Sequence, residues 1–409
     1  MATPVYLAAC VVPDGGLLRA ARYRDVHLYQ GFADAVFDGR VPYRDFFMEY
    51  PPGALAVFLP PAIAGDAHYN AAFKVLMALC GVATIFLVAL LLARLGASRG
   101  RLWTGVVLLA LAPIALGPIS LNTYDAWPVL LAVAALFLLV SGAPIVALAL
   151  LGFAFAAKVY PVVLLPPALI FLWLTAGRKV VLRATGAFAA AVVAIVVPFL
   201  ALAPHGLAES FRAQAARGLQ VESLGGSLLA VADRLGLYDA TVVHRTAPAI
   251  SYELVGSLPD ALAVLSSVAQ VVAVILVAAL YLRARDGSWL LAVSFAAAIA
   301  GFLAFTRFFS PQYLVWLVPF VVFLAPVAWV VVGVALVLAQ VWFFHYSDVF
   351  ALGGYVWLVV VRDLLLVALY AVLLKTMIPS SSKTLDQEPE RSSSASGTAA
   401  VEGSERLSR

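Results

Sequence analysis

Charged side chains are scarce in this sequence. Asp, Glu, Lys and Arg make up only 12% of the 409 residues, whereas hydrophobic residues make up 64% and the mean hydropathy is +1.01. Because a soluble domain is only about 45–50% apolar, this composition excludes an ordinary globular protein. The apolar residues also form continuous runs, without the alternation of a membrane barrel. The sequence therefore predicts an all-α, polytopic integral membrane protein.

Cysteine and histidine are also rare, and neither is grouped. The two cysteines, Cys10 and Cys80, form no CxxC motif and imply no disulfide framework. The five histidines are scattered without an HxH or HxxxH pair, so no metal site of recognisable spacing is present. We expect neither a metal ion nor another cofactor. The basic residues lie in short clusters between apolar runs, which is typical of membrane topology and gives no reason to expect a nucleic-acid partner.

The apolar runs predict about eleven transmembrane helices, the first over Asn70–Leu95 and the last over Trp357–Leu374. Three basic clusters between these runs, together with Lys375, fall on one side of the membrane, which we predict to be cytoplasmic. Residues 1–378 are expected to form one transmembrane domain in the plasma membrane. The remaining residues, 379–409, are Ser-rich and charged and are expected to form a disordered cytoplasmic tail.

Two long segments are predicted to be extracytoplasmic loops, residues 13–69 and residues 203–258. The first contains a short, proline-bounded apolar piece after Pro51-Pro52. We interpret this piece as a re-entrant or interfacial segment, because prolines at its ends interrupt a helix.

The N-terminal residues 1–12 are apolar but too short to span a bilayer, which takes about 20 residues. No basic segment precedes them, so they do not read as a cleavable signal peptide. The predicted topology places Met1 outside the membrane. We therefore expect that Met1 is not the native start and that an upstream extension supplies a first helix. The alternative is that residues 1–20 lie along the membrane interface.

The polar residues of this apolar chain are concentrated at one predicted membrane face. They include the acid- and aromatic-rich stretch Asp25–Pro52, Asp125, Lys158 and Arg307. Ionisable groups in a membrane are costly and tend to face the protein interior, so we predict a single site at the external interface. Each residue also has a purely structural interpretation: Asp125 as a helix N-cap, Lys158 snorkelling to headgroups, and Arg307 pairing with lipid phosphate. Likewise, RGLQVESLGG (217–226) is open to interpretation as an external helix followed by a glycine turn.

These segments together resemble a known family of membrane enzymes. The stretch DVHLYQGFADAVFDGRVPYRDFFMEYPPGAL resembles the first external loop of glycosyltransferases with the GT-C architecture. It is most similar to glycosyltransferase family 87, formerly an uncharacterised-domain family, whose better-known members are bacterial polyprenol-phosphate-mannose mannosyltransferases. Further matches, in the family's order, are LNTYDAWPVLLAVAALFLL, AFAAKVYPVVLLPPALI, RGLQVESLGGSL and FFSPQYLVWLVPF. The family usually has a transmembrane helix just before the loop, and this sequence lacks a full one.

The resemblance implies transfer of a sugar, with mannose the best-known, from a polyprenyl phosphate donor to a hydroxyl group of a lipid or glycan acceptor. It implies that Asp25 is the general base and that transfer inverts the anomeric carbon, since a second catalytic carboxylate is not required. Lys158, Arg307 and Arg44 are candidate cations for the leaving phosphate. Glu49 is open to two roles, orienting Asp25 or hydrogen-bonding sugar hydroxyls. Tyr29, Tyr43 and Tyr313 either stack on the sugar or anchor the membrane interface, and anchoring is the favoured interpretation. The candidate substrate-binding residues are Arg44, Asp45, Glu49, Tyr50, Asn122, Asp125, Lys158, Gln220, Glu222, Arg307, Gln312 and Tyr313.

Two other functions are consistent with a polytopic membrane protein. A transporter or flippase of a lipid-linked sugar would bind the same ligand without chemistry, but such proteins often contain internal repeats and sites near the midplane. This sequence has no convincing repeat, and its polar residues collect at one face. A scaffold in envelope assembly gives no reason for an acid-rich loop near external cations. The residues therefore favour an enzyme.

Overall fold

A computed structural model describes residues 2–12, 25–246, 250–285 and 287–378, and the predicted tail, 379–409, lies outside them. The described chain is mostly helical. Its α-helices are α1 (Ala2–Val12), α2 (Asp25–Phe37), α3 (Leu55–Phe58), α4 (Tyr69–Arg94), α5 (Arg99–Leu116), α6 (Ile119–Asn122), α7 (Ala126–Val140), α8 (Pro144–Ala157), α9 (Leu165–Thr175), α10 (Arg178–Leu202), α11 (Pro204–Ala215), α12 (Leu224–Arg234), α13 (Ser257–Ala284), α14 (Ser288–Ala304), α15 (Val318–Val321), α16 (Pro326–Phe344), α17 (Tyr346–Phe350) and α18 (Val356–Met377). Short 3₁₀ helices cover Pro52–Ala54, Pro60–Ala64, Asp66–His68, Tyr160–Leu164 and Pro311–Trp316.

Six helices of the described chain are long and apolar enough to cross a membrane: α4, α5, α10, α13, α16 and α18. Helices α10 and α13 bury little of their surface against the rest of the protein, as expected for helices that face lipid. Four further apolar helices, α7, α8, α9 and α14, have only 11–17 residues. The fold is therefore that of a helical membrane protein, while the predicted number of about eleven spans stays a prediction.

The short helices occupy the inside of the bundle. Helices α7 and α8 pack against each other, α7 also packs on α4, and α8 packs on α10. Helix α14 is buried along most of its length between α13 and α18. Helix α1 packs on α5 and reaches α4, where the Tyr6 hydroxyl lies over Gly81 with no room for a side chain at that position.

The expectation of an all-α chain is incomplete, because the second long loop contains a small sheet. Strands β1 (Leu219–Gln220), β2 (Thr241–Arg245) and β3 (Ser251–Val255) form an antiparallel sheet in the order β1-β3-β2. A second apolar core lies beneath it and includes Leu219, Leu254 and Trp342.

The interpretation of residues 217–226 as a helix followed by a glycine turn is wrong. The segment is strand β1 followed by the first turn of α12, and Ser223 caps this helix by accepting a hydrogen bond from the Gly226 amide at 3.2 Å. Gly226 lies against the Gln220 carbonyl, where a Cβ atom has no room. The glycine therefore permits a close approach between the helix start and the strand, and it does not end a helix.

The first long loop begins with helix α2 and returns to the bundle through the proline-bounded segment after Pro51. This segment is a succession of short helices from Pro52 to Ala64 that pack on α4, α8 and α10. A Cβ atom on Gly53 would lie 2.6 Å from the carbonyl carbon and oxygen of Ala156, at the end of α8. Gly53 therefore lets the loop contact the backbone directly before Lys158.

We predict that Gly53→Ala destabilises the fold by about 1–3 kcal/mol, because the added methyl group overlaps a backbone that cannot easily move. The matched control is Gly31→Ala in α2, where an added Cβ meets no atom within 4 Å. This control is expected to be neutral or to stabilise by up to about 1 kcal/mol. Thermal unfolding of both variants in the same detergent measures the difference, and equal melting temperatures would contradict the close contact.

Candidate active site

Asp25 is the first residue of α2, and its carboxyl group points into the protein while the residue keeps some exposed surface. Burial raises the pKa of this carboxyl to about 7. The charges of Glu49 and Asp125 raise the pKa further, whereas Lys158 and the Tyr29 hydroxyl act in the opposite direction. Tyr29 lies one turn further along α2. Glu49, Asp125 and Lys158 come from other parts of the sequence, so the fold brings them close to Asp25.

Aromatic rings form a cluster near Asp25, and the hydroxyl group of one of them, Tyr29, acts on its carboxyl group. Tyr29 stacks on Phe58 with ring centroids 4.3 Å apart and meets Tyr124 edge-on at 5.7 Å. Tyr50 meets Tyr124 edge-on at 5.2 Å. The Tyr43 hydroxyl donates to the Tyr50 carbonyl at 2.6 Å and fixes the end of the loop. Burial of the Asp25 carboxyl in this part of the protein is the main physical cause of its raised pKa.

Lys158 and Asp125 form a buried ion pair, with the Lys158 Nζ 2.5 Å from the Asp125 Oδ1. The Trp316 Nε1 donates to the same oxygen at 2.5 Å, and the Asp125 side chain is fully buried. The structure contradicts two of the structural interpretations. Asp125 precedes α7 but makes no capping hydrogen bond, and Lys158 does not snorkel because its side chain is only 11% exposed.

Aromatic rings surround the Lys158 ammonium group. Its Nζ lies 4.5 Å from the ring centroid of Tyr124, 5.3 Å from Trp316 and 5.5 Å from Tyr313. Trp316 is held in place by stacking on Tyr160, with ring centroids 4.1 Å apart. A desolvated ammonium group among ring faces gains cation–π stabilisation, so this part of the site is pre-organised.

The second long loop folds over the first. The Arg217 Nη2 lies 3.3 Å from the Glu49 Oε2, and the Arg217 guanidinium sits over the Phe308 ring at 5.6 Å. The Ser210 hydroxyl donates to the Met48 carbonyl at 2.7 Å, and the Gln214 amide donates to the Glu49 carbonyl at 3.2 Å. Contacts with α11 and with Arg217 therefore fix the position of Glu49.

Arg307 holds the second long loop in place through two backbone hydrogen bonds. Its Nη2 donates to the Ala215 carbonyl at 2.5 Å, and its own carbonyl accepts from the Gln220 amide at 2.9 Å. These bonds tie the end of α11 and strand β1 to the segment after α14. The pairing of Arg307 with lipid phosphate therefore finds no support in its contacts, which are with backbone.

The structure brings six of the predicted residues together. They are Asp25, Glu49, Tyr50, Asp125, Lys158 and Tyr313. The buried Asn122 side-chain amide donates to the Pro118 carbonyl at 2.8 Å, and Gln312 accepts from the Ser310 hydroxyl at 3.1 Å. These two residues shape the segments that carry their neighbours.

Arg44 and Asp45 lie apart from this group. Their side chains pair with each other at 2.9 Å and are 52% and 31% exposed. The hydrogen bond from Arg44 holds the pKa of Asp45 at about 2, and Asp45 also accepts from the Val41 amide at 2.7 Å. The pair closes a surface turn.

Several residues of the site were not singled out from the sequence. They are Tyr124, Arg217, Trp316 and Arg362. The first three lie within the stretches that carry the family resemblance, so the motifs contained them without indicating a role. Arg362 had a different signal, since it stands beside Asp363 in the otherwise apolar run VVVRDLLLV. Among the described residues, no three His, Cys, Asp or Glu side chains are grouped so that they could hold a metal ion.

The long apolar helices and the buried ion pairs together define a helical membrane protein with a polar, charged site. The family model of glycosyltransferase family 87 matches residues 47–311, more than half of the chain. The chain belongs to glycosyltransferase family 87, and the protein is a membrane glycosyltransferase. The matched range includes Glu49, Asp125 and Lys158, begins after Asp25 and ends before Arg362. No curated protein matches the sequence.

We predict that Lys158→Met destabilises the protein by about 3–5 kcal/mol, because it leaves the Asp125 carboxylate buried without its cation. The double variant Lys158→Met/Asp125→Asn removes that charge as well and is expected to recover much of the loss. Titration with a denaturing detergent measures the free energies of unfolding of the wild type, of Lys158→Met, of Asp125→Asn and of the double variant. Simple additivity of the two single substitutions would contradict the ion pair.

Proposed function

We propose that the protein transfers a sugar, mannose, from a polyprenyl phosphate donor to a hydroxyl group of a lipid or glycan acceptor. Asp25 acts as the general base, and the reaction takes place at the extracytoplasmic face of the plasma membrane. The observation that carries this proposal is the Asp25 carboxyl, buried beside Glu49 and the Lys158–Asp125 pair. Its role rests on this geometry and on the resemblance of its loop, since it precedes the matched range.

The position of Asp25 suits proton transfer from a hydroxyl group. Because burial raises its pKa to about 7, the carboxylate is a stronger base than an exposed aspartate and is still substantially ionised near neutral pH. In the proposed step the acceptor hydroxyl gives its proton to Asp25 as its oxygen bonds to the anomeric carbon. The bond from that carbon to the phosphate oxygen breaks, and the phosphate leaves with the electron pair. One displacement from the opposite side inverts the anomeric carbon.

The departing phosphate needs cations rather than an acid. Two cations border the region near Asp25: Lys158, paired with Asp125, and Arg217, paired with Glu49. The looser pair, Arg217–Glu49, separates its charges by 3.3 Å and keeps 15% of the Arg217 side chain exposed. We propose that Lys158 and Arg217 face the phosphate. Arg307 and Arg44 contact loop backbone and Asp45, which favours supporting roles for them.

The basic residues support the proposed orientation. Helix α4 starts at Tyr69, close to α2, and ends at Arg94, whose Nε donates to the Val140 carbonyl at 3.2 Å. Arg101 lies at the same end and donates to the Leu324 carbonyl at 2.6 Å. Basic residues at the end away from Asp25 favour a cytoplasmic location for that end. The carboxyl site is then extracytoplasmic, where a polyprenyl chain in the bilayer presents its sugar phosphate.

We predict that Asp25→Asn lowers the rate of sugar transfer by at least about 10²-fold, because it removes the base and keeps the side-chain size. Binding of the donor is expected to stay within a few-fold of wild type. The assay uses radiolabelled polyprenyl phosphate mannose with a pool of membrane-lipid acceptors. Asp38→Asn is the matched control, since Asp38 is exposed just after the same helix. Turnover of Asp25→Asn within a few-fold of wild type would contradict the role of Asp25 as general base.

We also predict the dependence of the transfer rate on pH. A base must be ionised, so the rate is expected to fall as the pH drops through about 7, the pKa of Asp25. The carboxylates of Glu49 and Asp125 raise this pKa, while Lys158 and Tyr29 lower it. Glu49→Gln removes one negative charge and is therefore expected to move the inflection to lower pH. An unchanged inflection, measured at saturating donor, would argue against Asp25 as the titrating group.

A further inference from the structure

The last long helix, α18, contains a buried ion pair that the proposed transfer step does not use. Arg362 is fully buried and Asp363 is 2% exposed, and the Arg362 Nε lies 2.8 Å from the Asp363 Oδ1. Two adjacent charges inside an apolar helix are costly and mark functional regions of membrane proteins. The pair therefore calls for a role beyond packing.

The pair holds the turn between β1 and α12. The Arg362 Nη2 donates to the Glu222 carbonyl at 2.6 Å, and the Ser227 hydroxyl donates to the Asp363 Oδ2 at 2.7 Å. Helix α18 thus holds the turn at two points, one of which is the backbone carbonyl of Glu222. Because the Val221 amide also donates to the Tyr252 carbonyl at 3.2 Å, the position of Glu222 is fixed by the helix and by the sheet together.

Several polar groups at this turn have no hydrogen-bond partner among the described residues. The Arg362 Nη1 and the Arg217 Nε are buried without a hydrogen-bond partner within the described ranges. The Glu222 carboxyl makes no hydrogen bond to the part of the chain that the structure describes, and 9% of the residue is exposed. Each unmet buried group costs about 1–3 kcal/mol. A ligand that supplies both donors and acceptors would recover this cost.

The charges around the turn are balanced. Asp363 compensates Arg362, and Glu49 compensates Arg217. Burial raises the pKa of Glu222 to about 8, although Arg362 and Arg217 act to lower it, so this carboxyl is mostly protonated at pH 7. Because Asp363 compensates Arg362, Glu222 and Arg362 offer hydrogen-bonding groups rather than a net positive charge. A protonated carboxyl beside unpaired N–H donors suits a neutral ligand rich in hydroxyl groups.

The turn is also next to the proposed transfer site. Tyr313 lies within electrostatic range of both Arg217 and Glu222. Its ring stacks on Trp316 at 4.3 Å and faces the Lys158 ammonium at 5.5 Å. Tyr313 therefore contacts the Lys158 region and also lies within the electrostatic influence of the turn.

We propose that Glu222 and Arg362 form a subsite that binds the hydroxyl groups of a neutral sugar, beside the transfer centre. The sugar belongs either to the donor or to the acceptor, and this inference rests on the proposed function. Arg362 binds through its free Nη1 and holds the turn through its Nη2, while Asp363 keeps the guanidinium charge compensated.

The test compares Glu222→Leu with Glu222→Gln in protein reconstituted in lipid nanodiscs. Leucine keeps the approximate size and removes hydrogen bonding, whereas glutamine retains both a donor and an acceptor, like a protonated carboxyl. Glu222→Leu is expected to weaken binding of the sugar-bearing ligand about tenfold, corresponding to the loss of one or two hydrogen bonds. Glu222→Gln is expected to stay within about threefold of wild type. Arg362→Lys, which keeps a charge opposite Asp363 but lacks the free Nη1, is expected to weaken the same ligand.

Two probes distinguish the source of the sugar. If Glu222→Leu binds polyprenyl phosphate mannose about tenfold more weakly but binds sugar-free polyprenyl phosphate normally, the subsite holds the donor sugar. If donor binding is unchanged and half-saturation by the membrane-lipid acceptor pool rises about tenfold, it holds the acceptor sugar.

Other outcomes overturn the subsite. They are equal weakening of both polyprenyl probes, an equal effect of leucine and glutamine, or no change in a variant that melts like wild type. Glu209→Leu, at an exposed carboxyl on α11, is the matched control and should change neither affinity. Wild-type protein that binds no polyprenyl phosphate sugar would reject the proposed function itself, which separates the two failures.

Discussion

The arrangement of this protein depends on one requirement, that a charge placed inside an apolar body must have a partner. An unpaired buried ion costs several kcal/mol, and Asp125 meets the requirement by accepting from both Lys158 and Trp316. These three residues stand at the start of α7, just after the end of α8 and in the 3₁₀ segment before α15. One carboxylate thus fixes three chain segments relative to each other, and the aromatic rings around Lys158 complete the enclosure.

The same requirement explains why the inner helices are short. Irregular backbone inside a membrane protein is tolerated only where it is buried in protein or lines a cavity, and here the breaks coincide with polar side chains. Helix α7 begins after Asp125, and α8 ends before Lys158. Helix α14 ends at Ala304, shortly before Thr306 and Arg307. The long helices α10 and α13 stand outside and carry no such break. Shortness of the inner helices is therefore a consequence of the site that they build.

Much of the fold class and part of the site could be predicted from the sequence, because composition and long apolar runs report directly on burial in a membrane. The motifs around Asp125 and Lys158 also indicated residues that prove to be adjacent. The partners of the polar side chains were not predictable. The sequence does not show that the Trp316 indole donates a hydrogen bond to Asp125, or that Arg44 forms an ion pair with its neighbour Asp45. The sheet was missed for a similar reason: a strand as short as β1, with two residues, has no periodicity to detect, and its partner β3 lies more than thirty positions away.

The two buried acids of the proposed site, Asp25 and Glu222, show how pairing inside the protein controls the electrostatics of a carboxyl group. Burial is the largest cause of the raised pKa of both carboxyls, and a cation opposes it in each case, Lys158 near Asp25 and Arg362 near Glu222. Both cations are already paired with another carboxylate, Lys158 with Asp125 and Arg362 with Asp363. Pairing within the protein therefore limits how much positive charge reaches each acid, so that burial dominates its pKa.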